Sequence, residues 1–77
     1  MSHGLPIEIV RMWNARFLAD REGGLTRFAD RIERSPSQVS QLIGKTQIKT
    51  IERKLARHFE QMCKMPEGWL DSPHIDD

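Results

Sequence analysis

The sequence has one cysteine, no long apolar run and no stretch of alternating apolar and polar residues. With Cys63 alone, neither an internal disulfide framework nor a CxxC metal site can form, and a reduced, packed thiol is expected. No segment approaches the roughly 18 consecutive apolar residues of a membrane-spanning helix. The N-terminal stretch runs into charged amphipathic sequence, so no secretory signal is expected. Missing strand alternation and hairpin dipeptides argue against a sheet. Chemistry-bearing constellations are also missing. No paired carboxylates, nucleophile–base pair or metal-ligand set can be named, so the chain reads as a non-enzyme without cofactor, metal or small-molecule substrate. His58 stands alone and reads as structural, while His3 and His74 fall in the expected tails.

At 77 residues the chain has room for one compact domain, with a core over about 7–71 and a frayed tail at 72–77. A core this small supplies little stability by itself, which favours dimerisation or ligand binding. The formal net charge of +1 hides an uneven distribution. Residues 66–77 contain Glu67, Asp71, Asp76 and Asp77 with no Lys or Arg, a net −4, so the remainder carries +5. Between Arg34 and Arg57 six basic residues stand against the single acid Glu52. That split fits a basic face for a polyanion, although a charged cluster is also what any solvated helix surface carries.

Helical spacing dominates what is present. A first helix is predicted from about Ile7 to Arg21: Pro6 suits its opening turn, and Gly23-Gly24 end it. Its apolar side holds Ile9, Val10, Trp13, Phe17 and Leu18, and Trp13 and Phe17, with Phe59 and Trp69, are expected in the core. A second helix over Leu25–Glu33 carries Leu25, Phe28, Ala29 and Ile32 as one stripe. Ser35-Pro36-Ser37-Gln38 then forms a capping box with proline at the first helical position, which starts a third helix ended by Gly44. Ile51, Leu55, Phe59 and Met62 mark a fourth helix over about Thr50–Cys63. Met65–Leu70 predicts one short helical turn folded back on the core. The fold class is therefore all-α, a compact bundle of about five short helices.

Within Leu25–Ile43, two short helices joined by a tight turn make a helix-turn-helix pattern. Ala29 is small where the next helix crosses, and Val39, Ile32 and Leu42 fill the wedge. The opposite face of the helix at 36–43 carries Ser37, Gln38, Ser40 and Gln41. Such short polar side chains can bond base edges in a major groove, and glutamine suits adenine. Gln38 has a competing use in its capping box, and Ser40 a competing use as a small exposed residue.

The segments Phe28-Ala29-Asp30-Arg31-Ile32 and Ser35–Ile43, followed by Leu55-Ala56-Arg57 and Pro66–Asp71, make the chain resemble the lambda-repressor-like (Cro and phage repressor) family over roughly Val10 to Asp71. The resemblance implies a sequence-specific, duplex-DNA-binding transcriptional regulator of phage or prophage repressor type. Such a regulator would act in the cytoplasm of a bacterial or phage-infected cell, on the nucleoid. The helix at 36–43 would enter the major groove, with Ser37 and Gln41 as base readers and Gln38 and Ser40 as candidates for further base contact or for phosphate contact. Lys45, Thr46 and Lys49 would hold phosphates in the following loop, and Arg27 would do so from the second helix. A homodimer on a palindromic operator is implied, with half-sites about one helical turn apart. The turn at Pro66–Leu70 is the expected dimer surface by position alone. Two features depart from the family pattern. Glu33 occupies the turn position usually held by glycine, which requires a strained left-handed residue or another turn shape. The loop Gly44–Thr50 is also longer than usual. The alternative reading is a helical protein-interaction module, an antitoxin or adaptor, using Trp69 and the acidic tail.

Overall fold

The computed structural model describes residues 5–45 and 47–74. It contains four α-helices, α1 (Ile7–Glu22), α2 (Leu25–Arg31), α3 (Pro36–Ile43) and α4 (Arg53–Met62), then a short 3-10 turn at Trp69–Asp71. No strand occurs among the described residues, and none of the helices is long and apolar enough to cross a membrane.

One core joins all five pieces. Ala15 and Leu18 of α1, Phe28 and Ala29 of α2, Val39 of α3, Ala56 and Phe59 of α4, and Leu70 of the 3-10 turn are buried together with Ile32 and Ile51. Phe28 and Phe59 meet edge to face with centroids 5.4 Å apart, the arrangement their ring quadrupoles favour. The stripes on α2 and α3 read from spacing are the faces that pack.

Trp13 and Phe17 are not core residues. They remain 47% and 52% exposed on α1, and Leu5, ahead of that helix and 50% exposed, lines the same shallow concavity. The buried face of α1 is turned away from them: it contains Val10, Met12, Ala15, Leu18 and Ala19, together with the polar Arg11 and Asn14. Trp69 is half-buried, 6.3 Å from Phe17 between ring centroids, and stacks on His74 at 4.1 Å. The expected tail is therefore held in place as far as His74, whose Nε2 donates to the Trp69 carbonyl at 2.7 Å.

Buried polar groups explain how the 3-10 turn is fixed. Asn14 Nδ2 donates to the carbonyls of Leu70 and Ser72, each at 2.8 Å. Glu60, 1% exposed, accepts from the backbone N–H groups of Gly68 and Leu70 at 3.0 and 2.7 Å. Arg11 Nε meets Asp71 at 2.7 Å, and Arg57 bridges Glu60 and Asp71 at 2.8 and 3.0 Å. Arg57, counted with the basic face from sequence, is thus spent on internal carboxylates. Hydrogen bonding from Arg11 holds the Asp71 carboxyl below its usual range; partial burial opposes this, and Arg57 reinforces it.

Three helices end in the same way. After α1, Gly24 N–H donates to Ala19 O and Gly23 N–H to Asp20 O. Arg34 and Glu33 repeat the pair onto Ala29 O and Asp30 O after α2, and Met65 and Lys64 onto Glu60 O and Gln61 O after α4. These are Schellman closures, which require a left-handed residue at the penultimate position. Gly23 supplies it at φ 102°, but Glu33 and Lys64 supply it at φ 60° and 59° without being glycine. Glu33 therefore takes the strained left-handed conformation, and the turn keeps its ordinary shape.

Helix α4 begins at Arg53, three residues later than the spacing predicts, because Ile51 is buried ahead of it and Glu52 is an extended N-cap.

Candidate nucleic-acid interface

Helix α3 is built to present one polar face. Ser35 accepts from Gln38 N–H at 3.1 Å and Gln38 Oε1 accepts from Ser35 N–H at 3.4 Å, so the capping box forms, with Pro36 at the first helical position. Val39, Leu42 and Ile43 are buried, and Val39 is fully so. That leaves Ser37, Gln38 and Ser40 exposed and Gln41 half-buried at the edge of the same face. Gln38 is partly committed to the cap, whereas no hydrogen bond from the side chains of Ser37 or Gln41 occurs among the described residues.

The segment after α3 folds back on it. The carbonyl of Gln41, one of the four that a helix leaves unpaired at its C-terminus, accepts from Ile48 N–H at 2.8 Å and from Lys49 N–H at 3.0 Å. The result is an open groove of about 560 Å³ lined by Gln38, Gln41, Leu42, Lys49, Thr50, Glu52 and Leu55. Two of the base-reading candidates thus share one concavity with the Lys49 ammonium. Lys45 is exposed on the same loop. Thr46 lies outside the described residues.

Arg27 is exposed on α2 but is not part of that groove. Its stem lies over Gly23, with Cδ 3.0 Å from where a Cβ would be. Its neighbours in a second concavity are Glu22, Thr26, Asp30 and Arg31. Glu22 there is paired with Arg31 at 3.3 Å, which leaves Asp30 as the acid that offsets the field of Arg27 for a phosphate. Lys45, Lys49, Arg53 and Lys54 remain exposed near the N-terminal approach to α4, an unusual place for cations given the positive end of a helix dipole.

Spacing missed two contacts that support α2 and α3. His58 Nε2 donates to the Ile32 carbonyl at 2.7 Å, from α4 into the turn between α2 and α3. Arg16 Nε donates to Ile43 O and its Nη2 to Gly44 O, both at 2.8 Å. Neither residue lies in the helix-turn-helix segment, so only the folded chain brings them there. Among the described residues no three His, Cys, Asp or Glu side chains cluster as a metal site. Burial pushes the half-buried Cys63 thiol up, which disfavours the reactive thiolate.

No family model matches the chain. It is 43% identical over 68 residues to the prophage repressor CohE of Escherichia coli strain K12, an alignment covering 88% of this chain and 30% of that repressor. Among solved structures, it is similar to a chain of the Rep-Ant complex from a Salmonella-temperate phage, with a TM-score of 0.77 and 32% identity. That match covers 92% of this chain and 42% of the other. The chain therefore spans less than half the length of either protein.

Proposed function

We propose that the chain, similar over most of its length to a prophage repressor and to a chain of a phage Rep-Ant complex, is a lambda-repressor-like helix-turn-helix domain that binds duplex DNA sequence-specifically as a repressor of phage type. One observation carries this reading. Helix α3 is capped at its free end and buried along Val39, Leu42 and Ile43, so its only open face holds Ser37, Gln38, Ser40 and Gln41.

Laid in a major groove, Ser37 and Gln41 read base edges, with Gln41 suited to the N6 and N7 atoms of adenine. Gln38 shares its side chain between the cap and the DNA, and Ser40 flanks the contact. Lys45, Thr46 and Lys49 hold the backbone of one strand beside that groove, and Arg27 makes a weaker phosphate contact from α2. Neutralised phosphates give much of the affinity and make it fall with salt. Two copies bind as a homodimer on a palindromic operator, at half-sites about one turn apart, inside the bacterial cell. No catalytic step is part of this activity.

Selection of bound sites from a random duplex pool tests the proposal. A palindromic consensus bound in a salt-dependent way supports it; retention of all duplexes alike, or of none, refutes it.

A second reading has one observation in its favour. The similar solved chain is part of a Rep-Ant complex, and here the exposed Trp13 and Phe17 of α1 and Leu5 ahead of it line one concavity. A protein partner for the same domain is compatible with DNA binding at α3.

A further inference from the structure

Of the four α-helices, only α3 ends without a closure of its own. Helices α1, α2 and α4 each finish in a Schellman pair with a left-handed residue. Gly44, after α3, is instead extended at φ −71° and ψ −180°. Its own N–H reaches Ser40 O at 2.8 Å, and Gln41 O is taken by Ile48 and Lys49. The carbonyls of Ile43 and Gly44 then point out of the helix and are met from α1 by the guanidinium of Arg16. The two bonds of 2.8 Å run from neighbouring nitrogens to neighbouring carbonyls, a match that a planar fork makes and a single ammonium does not.

The charge of Arg16 is also not cancelled. Arg11, Arg31 and Arg57 each meet a carboxylate, whereas Arg16 has no ion-pair partner among the described residues. A full positive charge therefore sits on the negative end of the α3 dipole.

We infer that Arg16 is the positioning residue for DNA reading: it fixes where α3 ends and where the loop bearing Lys49 departs. This inference rests on the DNA-binding reading above. The role assigned to Arg16 needs no contact with a base. Through Ile43 and Gly44 it sets the direction of the chain that returns to Gln41, and so the offset between the Gln41 side chain and the Lys49 ammonium. Contacts to bases demand that offset because phosphate contacts set the register in which base edges are met. Loss of Arg16 therefore reduces discrimination more than overall affinity.

The test compares Arg16→Lys, which keeps the charge, and Arg16→Met, which keeps only the stem. Each is titrated against the duplex selected by the wild-type protein and against a scrambled duplex. Amide exchange is read at Ile48 and Lys49 in the DNA-free protein. A core variant, Phe59→Leu, serves as a control for stability, at a temperature where all variants are folded. Both Arg16 variants are expected to lose about tenfold in preference for the selected duplex, with the lysine variant unchanged on scrambled DNA and both exchanging faster at Ile48 and Lys49. Full preference in Arg16→Lys overturns the inference, since charge alone would then suffice. An equal loss of preference in Phe59→Leu also overturns it, because the role would be merely structural. If the wild-type protein prefers no duplex, the DNA-binding reading fails. Exchange then decides the remainder: unchanged rates overturn the link from Arg16 to the loop, and faster rates uphold it.

Discussion

Lys49 is tied to Gln41: its backbone N–H donates to the Gln41 carbonyl at 3.0 Å. A residue expected to hold phosphate and a residue expected to read a base are therefore joined through main chain rather than through a flexible linker. Their side chains remain independent, so their roles can be separated by truncation. Gln41→Ala is expected to relax preference at one base pair per half-site, by about 1–3 kcal/mol. Lys49→Ala should weaken selected and scrambled duplexes alike and lower the salt slope by about one. Titration of both duplexes across a salt series checks this; equal behaviour of the two variants would contradict the assignment.

Glu33 holds a left-handed conformation at φ 60° in the closure of α2. A side chain there carries a steric cost of roughly 1–2 kcal/mol that glycine avoids, partly offset by the greater freedom of glycine in the unfolded chain. Glu33→Gly is therefore expected to raise stability by about 0.5–1 kcal/mol in urea melts, and Lys64→Gly at φ 59° should behave similarly. DNA preference should be unchanged in the first variant, because the turn already has the shape that glycine favours.

Asp71 gives the fold an acid-sensitive clasp. Its carboxyl titrates below the ordinary range because Arg11 bonds the charged form, with Arg57 adding to the effect. A depressed folded value means the stabilisation is complete above the unfolded carboxylate value of about 3.9 and is lost as pH falls through the lower folded value. Asp71→Asn should accordingly cost about 1–3 kcal/mol near pH 6, and the gap to the wild-type protein should close as pH falls below the ordinary carboxylate range. Denaturant melts across that range measure it. A constant gap at all pH values would show that charge is not what Asp71 contributes.

Local signals reported the helix-turn-helix well. The Ser35 box, Pro36 and the apolar stripes at Phe28-Ala29-Ile32 and Val39-Leu42-Ile43 act within a few residues, so spacing alone reveals the helices and their inner faces. The supports of that unit act at long range. Arg16 reaches Gly44, His58 reaches Ile32, and Asn14 reaches Leu70, and nothing in the composition around each residue marks the partner. Charge counting failed at Arg57 for the same reason, since Glu60 and Asp71 draw it inward. The α1 stripe misled differently: apolar residues surround that helix on more than one side, and spacing does not tell which side the core selects.

The aromatic residues of α1 and α4 differ in what they bury. Trp13 and Phe17 are each about half exposed, whereas Phe59 is fully buried. Trp13→Gln or Phe17→Gln removes apolar area that is already largely in water, and each should lower stability by less than about 1.5 kcal/mol. Phe59→Ala empties a filled site against Phe28 and should cost about 3–5 kcal/mol, enough to unfold much of so small a domain. Urea melts of the three variants decide the matter. A loss at Trp13 as large as that at Phe59 would mean that the outer face of α1 is covered in solution, and the dependence of that loss on protein concentration would show whether a second copy does the covering.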